Sequence, residues 1–399
     1  MKRAVILLPL LLLLLIHPQA ATARPAKGVA GVVKSNTAFA LDLYARLRSP
    51  KKNLFFSPFS ISTALAMTYA GARGKTAEQM AKVLHFPKEA LHRAFSELLR
   101  ATERAGSGNT LAVANALWGQ RGFRFLKPYL QLVRTSYRGA LEQVDFAKAT
   151  EQARQTINRW VERRTQKRIK NLIPKGILTP LTRLVLTNAI YFKGTWQVQF
   201  AKAKTKKQPF TLEGGKRVEV PLMHHPKGRW KYAAGKDHQL LELPYKGEKL
   251  AMVVLLPRKP DGLEQLERQL SPAWLEKRLR ALKKQKVDLY LPRFKLETAF
   301  RLSKQLKAMG MPLAFSDAAD FSGMSTQDDL LIQAVLHKAF VDVNEEGTEA
   351  AAATAVAVRV RGIAAPPPVF RADHPFLCLI RDRATDSILF MARVADPRG

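Results

Sequence analysis

The chain has 399 residues, and its 66 Lys and Arg against 32 Asp and Glu give a formal net charge of +34. With 47% hydrophobic residues there is apolar surface enough for a large core, which excludes a wholly disordered chain. A single cysteine excludes an intramolecular disulfide, a CxxC redox pair and a Cys-rich zinc site. The eight histidines form no HExxH, so no metal centre and no cofactor is expected.

At the amino terminus Lys2 and Arg3 precede an apolar run, Ala4 to Ile16, and then the small-residue stretch Ala21-Thr22-Ala23. That order predicts a signal peptide over residues 1–23 and a single domain over 24–399. A secreted, extracellular protein is therefore expected, or a periplasmic one if the source is a Gram-negative bacterium. No other stretch is long and apolar enough to span a bilayer.

Helical spacing of Val33, Phe39, Ala40, Leu43, Tyr44 and Leu47 predicts a helix over 30–48, ended by Ser49-Pro50. Residues 59–70 read as a buried helix, and 76–84 and 88–104 as two more. A strand over 111–118 is followed by helices over 126–136 and 149–166. The Val, Ile, Leu and Tyr of 183–192 suit a fully buried strand. Strands are expected at 218–223, 239–244 and 250–256, then helices at 262–270, 272–284 and 299–309. Strands return at 286–293, 331–343, 375–381 and 387–394. Helices gather early and strands late without βα alternation, which predicts the α+β class and one large domain.

Basic residues cluster at Lys202–Lys207, Arg163–Lys170 and Lys277–Lys286. Arg163, Lys167 and Lys170 are spaced to share one helix face. Solvated faces account for such clusters, with weak binding of polyanions, heparin-like chains or nucleic acid, as a by-product. Gly71-Ala-Arg-Gly-Lys-Thr76 ends like a phosphate-binding loop, but Tyr69 stands where its first glycine belongs. No G-x-S-x-G or GxGxxG occurs. Cys378, inside Phe376-Leu-Cys-Leu-Ile380, reads as an inert core thiol.

Residues 345–361 are unusual. From Thr348 onward small residues alternate. Thr348, Ala350, Ala352, Thr354, Val356, Val358 and Val360 share one face, and Arg359 and Arg361 fall on the other. This is a segment able to become a central strand, although alanine also suits a helical linker.

Asn344-Glu-Glu-Gly-Thr-Glu-Ala-Ala-Ala-Ala-Thr354 resembles the reactive-loop hinge of the serpins. Phe370 to Ile380 is similar to the family's signature after the loop, Asn188 to Trp196 to its central-sheet segment, and Asn53 to Ser62 to the entry of its buried helix. These motifs come in the family's order from about residue 30 to the end.

The resemblance implies a single-domain fold of three β-sheets and about nine helices with an exposed reactive loop near 345–368. It implies no enzyme but an irreversible, monomeric inhibitor of serine proteases. The protease would attack the loop and become esterified to it. The cut loop would then insert into the main sheet. From Thr348 to Arg361 an inserted strand at ~3.3 Å per residue would carry the enzyme ~45 Å.

The family's spacing places the reactive residue about seventeen positions along from Glu345, at Arg361 before Gly362, with Arg359 as the competing candidate. Arginine at either place suits a trypsin-like protease, whose specificity pocket is acidic. Glu345, Gly347, Thr348, Glu349, Ala350, Ala351 and Ala352 would form the hinge. Ser57, Ser60, Asn188 and His337 would lie under the centre of the sheet, and Trp196, Arg293 and Glu345 would guard the start of insertion. A non-inhibitory binding or chaperone serpin is the alternative. It would want a bulky, charged or proline-broken inward face, which Thr348 to Val360 lacks.

Overall fold

The computed structural model describes residues 27–106, 108–327, 330–348 and 366–399. The first half is mostly helical: α1 (Lys27–Leu47), β1 (Leu54–Phe56), α2 (Pro58–Tyr69), α3 (Gly74–Val83), α4 (Leu91–Ala105), β2 (Thr110–Gln120), α5 (Lys127–Tyr137), β3 (Ala140–Val144) and α6 (Thr150–Arg164). Strands then dominate: β4 (Leu184–Thr195), β5 (Lys206–Thr211), β6 (Arg217–Ala234), β7 (His238–Pro244), β8 (Leu250–Pro257), and, after α7 (Leu263–Gln269) and α8 (Pro272–Arg280), β9 (Lys283–Pro292) and β10 (Phe294–Arg301). The last elements are α9 (Ser303–Met309), β11 (Ile332–Asn344), β12 (Gly347–Thr348), β13 (Val369–Arg371), β14 (Phe376–Asp382) and β15 (Ile388–Val394). The class is α+β, with nine α-helices among the described residues.

Six strands in the order β10-β11-β12-β4-β2-β3 form one sheet. Within it β11 and β4 run parallel, from Ile332 opposite Leu184 to Phe340 opposite Tyr191. The other nine strands are continuously hydrogen-bonded, but β6 changes partners at an irregularity between His225 and Gly228. Before it β6 pairs with β5, and after it with β7. The long strand thus joins two half-sheets, and these with the six-stranded one make the three that were expected.

Period two explains how the six-stranded sheet is buried on both sides. Leu184, Leu186, Ile190 and Phe192 of β4 join the main core with α2. Val185, Ala189 and Tyr191 point the other way, into a second core with Ile157 and Val161 of α6. Helix α2 is buried along nearly its whole length. It starts where Ser57 accepts the amide of Ser60, with Pro58 in the first turn, where a missing N–H costs nothing.

Several sequence expectations are corrected. Lys167 and Lys170 do not share a helix face with Arg163, because α6 ends at Arg164 and Gln166 and Lys167 take positive φ. The helix expected at 299–309 begins only at Ser303, since Phe294–Arg301 is strand β10 paired along β11. The helix expected to 284 stops at Arg280, and Lys283–Pro292 is β9. The short strands β1, β3, β5, β12 and β13 went unpredicted.

Candidate functional site

At the end of β11 the chain turns over Glu345 and Glu346 and comes back into the same sheet. Gly347 and Thr348 then lie antiparallel to both neighbours, opposite Asn344 and Val343 on β11 and opposite Thr195 and Gly194 on β4. Two residues thus already occupy the space between β11 and β4, above the point where those strands meet.

Close packing holds this wedge. Gly347 has φ +148°, and a Cβ there would stand 2.0 Å from the carbonyl oxygen of Gly194, so only glycine fits. Thr348 is fully buried, with its hydroxyl 3.0 Å from that of Tyr245. Tyr245 stacks on Trp196 with ring centroids 4.6 Å apart. The indole N–H of Trp196 donates to the carbonyl of Asn344 at 2.9 Å, and its amide donates to the carbonyl of Glu346 at 2.9 Å. Around the turn the Glu345 carboxylate accepts from Arg293 Nε at 2.7 and 2.8 Å and from the Thr205 hydroxyl. Burial pushes the Glu345 pKa up, but the Arg293 and Thr205 hydrogen bonds outweigh it and hold the group below its ordinary range. Lys202 pairs with Glu346 at 2.6 Å.

Lower in the sheet a buried polar network crosses the β11–β4 contact. His337 and Asn188 are register partners across it, and Asn115 of β2 is the partner of Asn188 on the other side. The amide of Ser57 donates to His337 Nε2 at 3.2 Å, so that nitrogen is an acceptor. The proton therefore sits on Nδ1, which donates to Asn188 Oδ1. Asn188 Nδ2 donates to Ser60 Oγ at 2.6 Å and to Asn115 Oδ1, and Ser60 Oγ donates to Asn115 Oδ1 at 2.9 Å. Ser57 Oγ donates to the carbonyl of Leu389 on β15 at 2.6 Å. Complete burial pushes the His337 pKa down to about 3, so the ring is neutral.

This arrangement cannot act as a hydrolytic triad. His337 meets the amide of Ser57, not its hydroxyl, and that hydroxyl is committed to Leu389. Among the described residues no group of three or more His, Cys, Asp or Glu is placed to hold a metal ion. What the geometry can do is admit a strand. Extending β12 downward would separate β11 from β4 and give each inserted residue two antiparallel neighbours in place of one parallel contact.

The structure brings Ser57, Ser60, Asn188 and His337 together, and separately Trp196, Arg293, Glu345, Gly347 and Thr348. Glu349, Ala350, Ala351, Ala352, Arg359, Arg361 and Gly362 lie outside the described residues, as do residues 1–23. Sequence reasoning missed Asn115, Tyr245 and Thr205. Asn115 had a signal, an amide in the midst of the apolar strand Leu111–Trp118. The other two reach the site only through tertiary contacts.

A family model described as Serpin (serine protease inhibitor) matches residues 34–397. A serpin-like protein of Thermococcus kodakarensis is 44% identical over 92% of this chain and 86% of its own length. Leukocyte elastase inhibitor of Bos taurus is 43% identical over 91% of this chain and 98% of its own length, and serpin B3 of Homo sapiens 40% identical over 91% and 99%. The crystal structure of uncleaved ovalbumin matches with a TM-score of 0.83 and 31% identity over 92% of this chain and all of that one.

These matches correct the expectation of secretion. The elastase inhibitor and serpin B3 are matched over 98–99% of their own length by 91% of this chain, and the family model begins only at residue 34. Those relatives therefore carry no counterpart of a leader, and an extracellular or periplasmic location is not supported. No described helix is long and apolar enough to cross a membrane.

Proposed function

The chain belongs to the serpin family, and from that premise we propose that it is an irreversible inhibitor of trypsin-like serine proteases that works by inserting its cut loop between β11 and β4. The observation that carries this reading is the placement of Gly347 and Thr348 as the first rung of a strand between β11 and β4. The residues that follow, with their small inward face of Thr, Ala and Val, are of a kind that can continue it.

The protease serine adds to the carbonyl of Arg361, or of Arg359 if the loop is shorter. The amide C–N bond breaks, the new amino terminus leaves with the proton, and an ester joins enzyme to inhibitor. The inhibitor contributes no catalytic group of its own. The released segment zips down from Thr348, displacing the eight β11–β4 register pairs one after another. Glu345 with Arg293, and Trp196 with Tyr245, fix where the strand enters. His337 and Asn188 keep the sheet closed until the cut supplies the driving force. Insertion outruns hydrolysis of the ester because no bulky or charged inward side chain obstructs it.

Arginine at the candidate positions favours an enzyme with an acidic specificity pocket. A second reading has an observation of its own, since relatives matched along nearly their whole length are named leukocyte elastase inhibitors. An elastase would cut after Val358 or Val360.

One experiment tests both readings. The chain is incubated separately with trypsin and with elastase, denatured in SDS, and the intact masses measured. A covalent adduct with trypsin and a released peptide beginning at Gly362 is the expected result. An adduct with elastase alone favours the second reading. Clean cleavage with no adduct to either enzyme refutes inhibition by insertion.

A further inference from the structure

Where β10 hands over to α9, a recess of about 650 Å³ opens on the surface, lined by Arg301, Lys304 and Lys307. A smaller cavity of about 150 Å³ shares Arg301 and Lys307 with it and reaches inward to Phe315 and to Gln333 at the start of β11. The cations here are unbalanced. All three are exposed, and none has a carboxylate partner among the described residues. Lys304 and Lys307 stand one turn apart on α9, a spacing at which like charges repel. Other helices of this chain set a glutamate one turn from an arginine: Arg93 meets Glu97, Arg268 meets Glu264 and Arg280 meets Glu276. The Lys307 ammonium lies over the Phe315 ring, 5.6 Å from its centroid, which holds it at the recess.

A second observation is independent of charge. Ile332 and Ala334 of β11 lie opposite Leu184 and Val185, which are consecutive on β4. Gln333 is therefore the extra residue of a β-bulge, an irregularity that is rare between parallel strands and that re-aims a side chain. It lines the inner cavity, and its carboxamide makes no hydrogen bond among the described residues. The recess thus offers a guanidinium, two ammonium groups and an amide N–H donor, and its described lining contains no acidic residue.

We infer that this recess binds an oligophosphate group, free or carried by a nucleotide. A single phosphate carries no more than about two negative charges at neutral pH and leaves one cation unmatched. Linked phosphates match all three and accept charge-assisted hydrogen bonds from each. The site ties α9 and the end of β10 to the start of β11, at the opposite end of that strand from Gly347 and Thr348. It does not depend on the inhibitory reading.

Calorimetry on the whole chain in about 0.15 M salt tests it, with tripolyphosphate and ATP as probes. One site is expected for tripolyphosphate, for ATP or for both, which also tells the source of the group, and orthophosphate should bind about tenfold more weakly or worse. Arg301→Gln and Lys307→Gln alter exposed side chains and should each weaken binding about tenfold. Gln333→Leu should weaken it about threefold with the charge unchanged. Lys283→Gln with Lys284→Gln takes two exposed charges from β9 and should leave the affinity as it was. No binding of either probe, undiminished binding in both the Arg301 and Lys307 variants, or an equal loss in the β9 variant overturns the site.

Discussion

His337 donates its Nδ1 proton to the Asn188 side chain across the parallel contact of β11 with β4, and both side chains are fully buried. Protonation would put a second proton on Nε2, which already accepts the Ser57 amide. The folded-state value of about 3 lies below the ordinary 6.5, so the unfolded chain binds the extra proton between those values. The stability involved is complete above about pH 6.5 and is lost as pH falls toward about 3. Urea unfolding should therefore weaken through this window by ~1.4 kcal/mol per pH unit from this group. His337→Gln should flatten the dependence by about one proton; an unchanged slope would show that the ring is already charged.

Arg293→Ala should destabilise the turn over Glu345 and Glu346. The carboxylate of Glu345 is buried and would keep only Thr205 as a side-chain partner. Because Arg293 is itself partly exposed, the cost is about 2 kcal/mol, below that of breaking a fully buried pair. Denaturant unfolding at neutral pH checks it, and Arg293→Lys should recover part of the loss.

Gly347→Ala should be disproportionately harmful for a single methyl. The added Cβ meets backbone atoms of Gly194 and Thr195, which cannot swing aside as a side chain can. Loss of β12 is expected, with faster hydrogen exchange at Thr195 and Trp196 and a smaller yield of covalent adduct with trypsin.

Cys378 lies in the middle of β14, paired with β8 on one side and β15 on the other. Burial pushes its thiol up to about 12. Native protein should not react with a thiol reagent at pH 8, and one equivalent should react after denaturation. Rapid labelling of native protein would contradict the buried placement.

Much of this molecule was legible in its sequence, and the failures are informative. Strand β8 is a continuous apolar run, β14 and β15 are mostly apolar, and helix α2 interrupts its apolar residues only with small Ser and Thr; all are buried along nearly their whole length. Strand β5, Lys-Lys-Gln-Pro-Phe-Thr, was invisible because it pairs on one side only and buries little but Phe210. Strand β10 alternates Phe294 and Leu296 inward with Lys295 and Glu297 outward, a signal hidden by reading its end as part of the following helix. The polar cluster could be reached only through family resemblance, since its members come from α2, β2, β4 and β11. No local pattern places Tyr245 against Trp196 and Thr348.

Under the proposed insertion β11 and β4 must part, and a reversible clamp between them tests this most directly. Ala189 and Lys338 are register partners across that contact. The double variant Ala189→Cys with Lys338→Cys is incubated with trypsin in oxidised and reduced forms, and intact masses are measured after denaturation. The oxidised form should be cut in its loop and release active trypsin with no covalent adduct, while the reduced form should give the adduct as the unmodified chain does. Adduct in equal yield from the oxidised, clamped form would contradict insertion between β11 and β4.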